Sequence, residues 1–410
     1  MSGVFDTLRE RGFVSQCSNE ESLRKLLDSE KVTFYIGFDP TAASLHAGHM
    51  QQLMAMAHLQ RVGHRPIALV GGGTSRIGDP SGKTEMRRIL PVETIKANSE
   101  LFRKQIGRFL DFSDGKALML DNAQWLAPLN YIDFLREIGV HFSVNRMLSF
   151  ETYKMRLETG LSFIEFNYQL LQSYDYLVLC QRYGCRLQMG GDDQWGNIVA
   201  GMDLIRRVEG VEAFALTSPL VTRSDGKKMG KSEGGALFLD PSLVSPYEFF
   251  QFWVNVPDAD VEQFLLRFTF LPATEIRKMC AVKDQGINDA KRTLALETTS
   301  LVHGAVAAQE AAESSRAAFQ TGNGAVMSGV PSVSFARAEI EKGIPIVDLF
   351  VRAGLCATKS DARRLVSQGG AYVSRKNVTD VGAILSSEAA EDGVILLRAG
   401  KKRYCRVVLS

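Results

Sequence analysis

The segment YIGFDPTAASLHAGH, residues 35–49, indicates both the type of fold and the position of a candidate site. It begins at the end of an apolar, β-rich run, residues 32–36, and passes into a helical pattern that continues to Leu59. Other short apolar runs alternate with longer helical patterns and lie at residues 67–70, 117–120 and 186–189. Strands that alternate with helices predict an α/β fold with a doubly wound parallel sheet. Ligands bind beyond the carboxyl ends of such strands, so the residues that follow each run are candidates for a functional site.

His46 and His49 stand three residues apart at the start of the predicted helix. This spacing places both rings on one face, beside exposed backbone N–H groups and the positive end of the helix dipole. Gly48 removes a side chain where a ligand could approach the backbone. The pattern favours an anion or phosphate site; a pair of surface histidines and a His-x-x-His metal site are the alternatives.

A second segment, SDGKKMGKS at residues 224–232, concentrates lysines beside hydroxyl groups. Lys228 and Lys231 can close on a polyphosphate there and stabilise charge that develops on its leaving group. Taken alone, such a cluster is more often a solvated basic loop. Its coexistence with the histidine pair favours the phosphate interpretation.

The HAGH sequence at 46–49 and the KMGKS sequence at 228–232 resemble, in order and separation, the two signature motifs of the class I aminoacyl-tRNA synthetases. Ala47 and Gly230 depart from the general class pattern, and both are small. Within the class, further segments are similar to the bacterial-type tyrosyl-tRNA synthetases: YxGFDPT from Tyr35, GDPSGK from Gly78, YxxxQxxD from Tyr168 and GGDDQWGN from Gly190. The resemblance covers nearly the whole chain. It implies activation of tyrosine with ATP and transfer of tyrosine to tRNA(Tyr), with release of AMP and pyrophosphate.

At 100° per residue, Tyr168, Gln172 and Asp175 form one narrow polar stripe on a helix. Such a stripe can line a pocket or be the wet face of an ordinary amphipathic helix. The resemblance implies a pocket in which Tyr35 and Asp175 contact the phenol of the substrate. The neighbours of its ammonium group and ring would be Tyr168, Gln172, Asp79 and Gln194. A site that hydrogen-bonds a hydroxyl rejects the analogue without it, so no editing domain is expected.

The glycines at 71–73 and the GDPSGK segment suggest a P-loop as an alternative, but their spacing excludes a Walker A motif. Gly82 and Lys83 would need a glycine where Ile77 stands. The resemblance instead assigns Lys83 and Arg87 to contacts with ATP phosphates. Other contacts with ATP or its phosphates would come from Asp39, Thr41, Gly48, Asp193 and Ser232. From the residues alone, the aspartates at 192 and 193 could equally form a helix cap or a metal site.

A continuous helical pattern extends from Ser245 to Phe319, and a segment rich in Gly, Ser and Val follows it. We therefore expect four regions. They are a Rossmann-type catalytic domain at 1–225, the signature loop and an α-helical domain for the anticodon side at 226–320, a linker at 321–341, and a small α+β RNA-binding domain at 342–410.

Residues 342–410 carry 12 Lys/Arg against 6 Asp/Glu, a net charge of +6, although the whole chain has only +2. This part resembles the small RNA-binding domain first known from a ribosomal small-subunit protein. Its predicted contacts with the RNA phosphate backbone are Lys359, Arg363, Arg364, Arg375, Lys376, Lys401, Lys402 and Arg403. A solvated surface explains any one of these residues alone.

The composition, 410 residues with 45% hydrophobic and 23% charged residues, excludes a disordered chain and a small disulfide-stapled scaffold. No window reaches the roughly 18 consecutive apolar residues of a membrane helix, and residues 1–17 lack the apolar core of a signal peptide. We therefore expect a cytoplasmic protein. The six scattered cysteines lack the spacing of a zinc site and are expected to be reduced thiols.

The resemblance further implies a homodimer that binds tRNA(Tyr), L-tyrosine and ATP, with magnesium carried by ATP and neither a bound cofactor nor a structural metal. Two alternatives remain. A tryptophanyl enzyme shares the class motifs but has no use for the hydroxyl-binding pair Tyr35 and Asp175. A non-enzymatic RNA-binding protein fits the basic tail but has no need of two intact phosphate motifs.

Overall fold

A computed structural model describes residues 3–81, 90–222, 224, 231–232, 235–281, 285–320, 330–374, 376–386, 390, 393–400 and 403–410. The chain forms two compact units. The first comprises Met1–Asp240 with Pro257–Ala281, and the second Pro241–Val256 with Val282–Ser410. Helices and strands are numbered along the whole chain.

The first unit is built on a six-stranded sheet with strand order β1-β6-β5-β2-β3-β4. Its strands are β1 (Gln16–Cys17), β2 (Thr33–Phe38), β3 (Arg65–Val70), β4 (Leu118–Asp121), β5 (Cys185–Gly191) and β6 (Phe214–Ser218). Strands β2 to β6 pair in parallel, and β1 pairs antiparallel with β6. The predicted doubly wound parallel sheet is confirmed, and each predicted run overlaps a strand and begins at most one residue before it. Strand β3 is buried along nearly its whole length because helices cover both faces of such a sheet.

Helices surround this sheet, and a short hairpin of β7 (Lys231–Ser232) and β8 (Gly235–Ala236) follows it. The helices are α1 (Val4–Glu10), α2 (Glu20–Ser29), α3 (Ala47–Arg61), α4 (Val92–Ile106), α5 (Ala123–Leu126), α6 (Tyr131–Glu137), α7 (Val144–Leu148), α8 (Glu151–Thr159), α9 (Phe163–Tyr183), α10 (Trp195–Val208), α12 (Val261–Phe268) and α13 (Ala273–Cys280). Helix α9 has clear end signals: a Ser162–Glu165 capping box starts it, and Gly184 ends it at φ 62.

The second unit contains the helices α11 (Pro246–Val254), α14 (Gln285–His303) and α15 (Ala305–Gln320), together with a C-terminal α+β domain. That domain has a five-stranded sheet in the order β12-β11-β14-β15-β9 and a small β10–β13 pair. Its strands are β9 (Ser332–Phe335), β10 (Ile344–Pro345), β11 (Ala371–Val373), β12 (Lys376–Val378), β13 (Ile384–Leu385), β14 (Val394–Ala399) and β15 (Arg403–Leu409). Its helices are α16 (Arg337–Glu341), α17 (Ile346–Arg352) and α18 (Lys359–Ser367).

Helix α18 has Thr358 as its N-cap, and the Thr358 hydroxyl accepts the N–H of Asp361 at 3.1 Å. Two details differ from the sequence pattern. Residues 332–335, in the segment expected to be a linker, form a strand parallel to β15, because Phe335 is buried in the domain core. Helices α12 and α13 belong to the first unit although one continuous helical domain was expected.

The six cysteines are free thiols, as predicted. No helix in the described ranges is both long and apolar enough to cross a membrane.

Candidate active site

Both histidines of the first motif lie at the N-terminal turn of α3, and each ring accepts a backbone hydrogen bond. His46 is the N-cap residue, and its Nδ1 accepts the N–H of Gly48 at 3.0 Å. Nδ1 of His49 accepts the N–H of His46 at 3.1 Å. The two ring centroids are 4.0 Å apart. The structure therefore brings the two rings together at the helix start, as their spacing predicted.

These contacts determine which ring nitrogens can donate. A neutral imidazole whose Nδ1 accepts a hydrogen bond carries its proton on Nε2, so both histidines have Nε2–H donors. The backbone donors of the turn are already engaged: the N–H of Ala47 donates to the carbonyl of Leu237 at 2.9 Å, and that of His49 to the carbonyl of His46 at 2.8 Å. The expectation of exposed backbone N–H groups at this helix start is thus wrong, and an anion here would be bound by the imidazoles.

Position 48 has a reason for being glycine besides the approach of a ligand. A Cβ at this position would lie 2.8 Å from Cε1 of His46, closer than real Cβ atoms come to a neighbour. The glycine therefore allows the His46 ring to fold back onto the turn and cap it.

Tyr35 and Asp175 lie in the core between the sheet and α9. Tyr35, on β2, is 1% exposed, and its hydroxyl has no hydrogen-bond partner among the described residues. Burial, and then the neighbouring charge of Asp175, raise the pKa of Tyr35 well above its usual value. Burial raises the pKa of Asp175 to about 8, against the opposing effect of hydrogen bonds from Asn122 and Trp125. Buried polar groups are normally hydrogen-bonded, so the unpaired Tyr35 hydroxyl beside the carboxyl group of Asp175 is a site where a ligand could form a hydrogen bond.

Asp175 is held by two side chains that the sequence analysis missed. Asn122 donates to its Oδ2 at 2.8 Å, and Nε1 of Trp125 donates to its Oδ1 at 2.7 Å. Asn122 also donates to Oγ1 of Thr74 at 3.0 Å and accepts the N–H of Gly73 at 2.7 Å. Both residues follow the predicted strand at 117–120, so the rule that ligand sites lie beyond strand ends could have found them.

The network continues from Thr74 to the carboxylate of Asp39. Oγ1 of Thr74 donates to Oδ1 of Asp39 at 2.8 Å, and the hydroxyl of Tyr168 donates to Oδ2 at 3.0 Å. Tyr168 and Asp175 are both buried, which excludes the alternative that the polar stripe on α9 is a wet helix face. Gln172 lies on the same helix and is half-buried.

The glycines at 71–73 serve this network. A Cβ at Gly71 would collide with the carboxylate of Asp39, and one at Gly72 with that of Asp121. The close approach of these side chains explains the glycine run without a P-loop, in agreement with the spacing argument.

A second polar cluster joins Asp79 to the start of α10. Nε2 of Gln194 donates to Oδ2 of Asp79 at 2.8 Å, and the N–H of Ser81 donates to Oδ1 at 2.9 Å. Nδ2 of Asn197 donates to Oε1 of Gln194 at 3.3 Å and to Oγ of Ser81 at 3.2 Å. Asp79 and Gln194, which are 115 residues apart, are therefore direct neighbours.

The two adjacent aspartates have different surroundings. Asp192 accepts hydrogen bonds from Thr217 of β6 at 2.6 Å and from Ser15, just before β1, at 2.7 Å. Asp193 is exposed and accepts a hydrogen bond from Gln194 at 3.2 Å. Thr41, after β2, is also exposed. Asp193 and Thr41 are thus accessible from solvent, whereas Asp192 has a structural role.

Gln188 on β5 is a further residue that the sequence analysis missed. It is paired in register with Tyr35 on β2, so both side chains emerge on the same face of the sheet. Gln188 is 2% exposed, and its Oε1 has no partner among the described residues. Its polar type in an apolar strand was the available signal.

Several predicted residues lie outside the described residues. They are Lys83, Arg87, Lys228, Arg375, Lys401 and Lys402, and the side chains of Lys231 and Ser232. The first residue of the lysine segment is described: Ser224 donates its N–H to both carboxylate oxygens of Asp260 at 3.0 Å and its hydroxyl to Oδ2 at 3.1 Å. Asp260 is 1% exposed, and so it fixes Ser224 from a buried position.

Of the remaining residues predicted to contact RNA, two form ion pairs with acidic side chains. Lys359 pairs with Asp348 and Arg364 with Asp361, both at 2.7 Å. Arg363, Lys376 and Arg403 are exposed. No cluster of three or more His, Cys, Asp or Glu side chains that could hold a metal ion occurs in the described part of the chain.

The first unit thus combines a parallel α/β sheet, a histidine pair at a helix start and buried polar clusters beyond the strand ends. Family models identify the class of protein to which this combination belongs. The family model "tRNA synthetases class I (W and Y)" matches residues 27–320, and that of the "Tyrosine--tRNA ligase SYY-like C-terminal domain" matches residues 323–407. The chain belongs to the class I tRNA synthetase family, as the resemblance of its motifs implied.

Within this family, the chain is similar over its full length to tyrosine--tRNA ligases. The chain is 54% identical over 407 residues to the tyrosine--tRNA ligase of Clostridium beijerinckii, covering 99% of each chain. It is 54% identical over 411 residues to that of Treponema denticola, covering 100% of each. Among solved structures, the C-terminally truncated mitochondrial tyrosyl-tRNA synthetase of Aspergillus nidulans matches with a TM-score of 0.70 and 29% identity, over 78% of this chain and 95% of that one.

Proposed function

We propose that this chain is a tyrosine--tRNA ligase, which activates L-tyrosine with ATP and transfers it to the 3′ end of tRNA(Tyr). The full-length similarity to tyrosine--tRNA ligases supports this proposal. The single structural observation that carries the choice of amino acid is the buried hydroxyl of Tyr35, which has no partner among the described residues and lies beside the carboxylate of Asp175. A substrate phenol would supply the missing partner.

The activation step is an in-line attack of the tyrosine carboxylate on the α-phosphate of ATP, and pyrophosphate leaves. No covalent enzyme intermediate forms. The Nε2–H groups of His46 and His49 would stabilise charge on the phosphates, because their tautomers are fixed by the hydrogen bonds at Nδ1. The other phosphate contacts in this proposal are Thr41, Lys83, Arg87, Lys228 and Lys231, with magnesium bound by ATP. The adenylate contacts would be Asp39, Gly48, Asp193 and Ser232.

The amino acid is positioned by the two polar clusters. Asp79 and Gln194 form one contact, and with Tyr168 and Gln172 they would surround the ammonium group and ring of tyrosine. Phenylalanine lacks the hydroxyl and would leave the hydroxyl of Tyr35 unpaired in the core. An unpaired polar group of this kind is costly, which accounts for specificity without an editing domain.

Aminoacylation tests this proposal. The purified chain is incubated with ATP, magnesium, radiolabelled amino acid and a tRNA(Tyr) transcript, and acid-precipitable label is measured. Charging with tyrosine but with neither phenylalanine nor tryptophan is expected. Charging of a tRNA(Trp) transcript with tryptophan would contradict the proposal and favour the related enzyme.

We also propose that the chain works as a homodimer in the cytoplasm. Large apolar side chains are exposed between residues 131 and 144 of the first unit, at Tyr131, Ile132, Leu135, Val140 and Val144, and also at Phe163. Exposed apolar surface of this kind marks an interface between proteins. Sedimentation equilibrium should give twice the mass of 45.2 kDa for the wild type and a lower mass for Val140→Glu; a monomeric wild type contradicts the dimer.

A further inference from the structure

The outer face of the C-terminal sheet carries aromatic and guanidinium side chains in one row across three strands. Backbone pairing aligns Tyr372 of β11 with Arg398 of β14, and Arg398 with Tyr404 of β15. Directly paired residues have their side chains on the same face. Their neighbours along the strands, including Leu397 and Cys405, pack into the domain core on the other face. The row therefore lies on the face turned away from the core.

Arg398 is stacked on an aromatic ring instead of being paired with an acid. Its guanidinium carbon lies 3.7 Å from the centroid of the Tyr372 ring, a close cation–π contact. The ion pairs found in the described part of this domain involve Arg352, Lys359 and Arg364, not Arg398. Among the described residues, the Arg398 guanidinium therefore contacts a ring and no acid, and it lies over the face of that ring.

The charge of the sheet favours a polyanion. The strands β9, β11, β12, β14 and β15 contain Lys376, Arg398, Arg403 and Arg406 but no Asp or Glu. One end of the outer face is covered, since Leu396 packs with Tyr247 of α11 and Val330, and Tyr404 packs against this cluster. The other end, with the Tyr372–Arg398 stack, is half-exposed.

We propose that Tyr372 and Arg398, bordered by Tyr404, form a stacking surface for an unpaired base of tRNA. Proteins bind unstacked RNA bases on aromatic rings and on guanidinium planes, and this stack offers both in a basic, acid-free sheet. The surface is separate from α18, whose cations would contact phosphates only. The identity of the RNA rests on the proposed function; the stacking chemistry does not.

Titration of a fluorescent tRNA(Tyr) transcript with the full-length protein at several KCl concentrations tests the proposal. Removal of the ring in Tyr372→Leu should weaken binding at least about fivefold, as loss of one stacked base does. The slope of log K against log salt should stay unchanged, because no charge is removed. Tyr372→Phe keeps the ring and should bind within twofold of the wild type. Arg363→Gln is the electrostatic reference and should lower the salt slope by about 0.7–0.9.

Thermal unfolding and pyrophosphate exchange without tRNA are measured on the same preparations, and an unfolding transition like that of the wild type shows that the C-terminal domain of each variant is folded. A folded Tyr372→Leu variant with unchanged tRNA affinity would overturn the proposal, and so would an equal loss in Tyr372→Phe. Absence of exchange with tyrosine in the wild type would instead contradict the proposed function while the tRNA titration still reports on the sheet.

Discussion

Replacement of Tyr35 by phenylalanine is expected to make the free protein more stable and its binding of tyrosine weaker. The side chain is 1% exposed, and its hydroxyl has no partner among the described residues. Tyr35→Phe therefore removes a desolvated polar atom and leaves the ring packed against Tyr176, with 5.3 Å between the ring centroids. It also removes the hydroxyl that our proposal assigns to the substrate phenol.

The magnitudes follow from the cost of an unpaired polar group. A buried, unsatisfied hydroxyl costs about 1–3 kcal/mol. The free energy of unfolding should therefore rise by about 1 kcal/mol or more, and Tm by about 2–4 °C per kcal/mol in a unit of this size. A neutral hydrogen bond to substrate contributes about 0.5–1.5 kcal/mol, so KM for tyrosine should rise by roughly 2- to 12-fold.

Tyr176 provides a matched control. It is 0% exposed, but its hydroxyl donates to the carbonyl of Phe214 at 2.9 Å. Tyr176→Phe should therefore lower stability by about 1 kcal/mol and leave KM for tyrosine unchanged. Thermal unfolding and pyrophosphate exchange at varied tyrosine measure both effects. A Tyr35→Phe protein that is less stable than the wild type and has an unchanged KM would refute the reasoning.

Three other changes test separate parts of the site. In Gly48→Ala the new Cβ would lie 2.8 Å from the His46 ring; we expect the exchange rate at saturating substrates to fall about tenfold while Tm changes little, and an unchanged rate would show that the ring position is not required. Asp260→Ala removes three hydrogen bonds from Ser224. Urea unfolding should show that the free energy of unfolding falls by about 1–3 kcal/mol, and pyrophosphate exchange should show a lower kcat without a change in KM for tyrosine. Burial raises the pKa of Asp175 to about 8, so the native state keeps a proton that an unfolded aspartate loses near about pH 4. The protonated Asp175 side chain therefore contributes to the stability of the native state at low pH, and this contribution is lost as pH rises to about 8. Urea titrations at pH 5 and pH 9 should show a lower free energy of unfolding at pH 9 from this cause in the wild type and not in Asp175→Asn.

The parts of the fold that were predicted have local signals. Strand β3 is an unbroken apolar run because a parallel strand is buried on both faces, and α9 has both a capping box and a terminal glycine. Strand β1 has only two residues, so it carries no periodicity, and its place in the sheet depends on pairing with distant β6. The strand at 332–335 was missed because only its contact with β15 distinguishes it from a linker.

The sequence predicted many residues of the candidate site, but few of the contacts between them. The spacing of His46 and His49 predicted a common face, but the capping role of the His46 ring depends on its rotamer, which sequence spacing does not determine. The contacts of Asn122 with Asp175 and Thr74 join segments about 50 residues apart in the chain. Single polar residues of this kind have no periodic pattern, so only the folded chain shows which of them meet.

We propose that the protein activates tyrosine in a site that binds the tyrosine hydroxyl, and amino-acid-dependent pyrophosphate exchange measures this activation. The wild-type protein is assayed with ATP and labelled pyrophosphate, without tRNA, in parallel with tyrosine, phenylalanine and tryptophan. We predict exchange with tyrosine only. Exchange with tryptophan would contradict the specificity, and a folded protein that binds tRNA but shows no exchange with any of the three would contradict the enzymatic function itself.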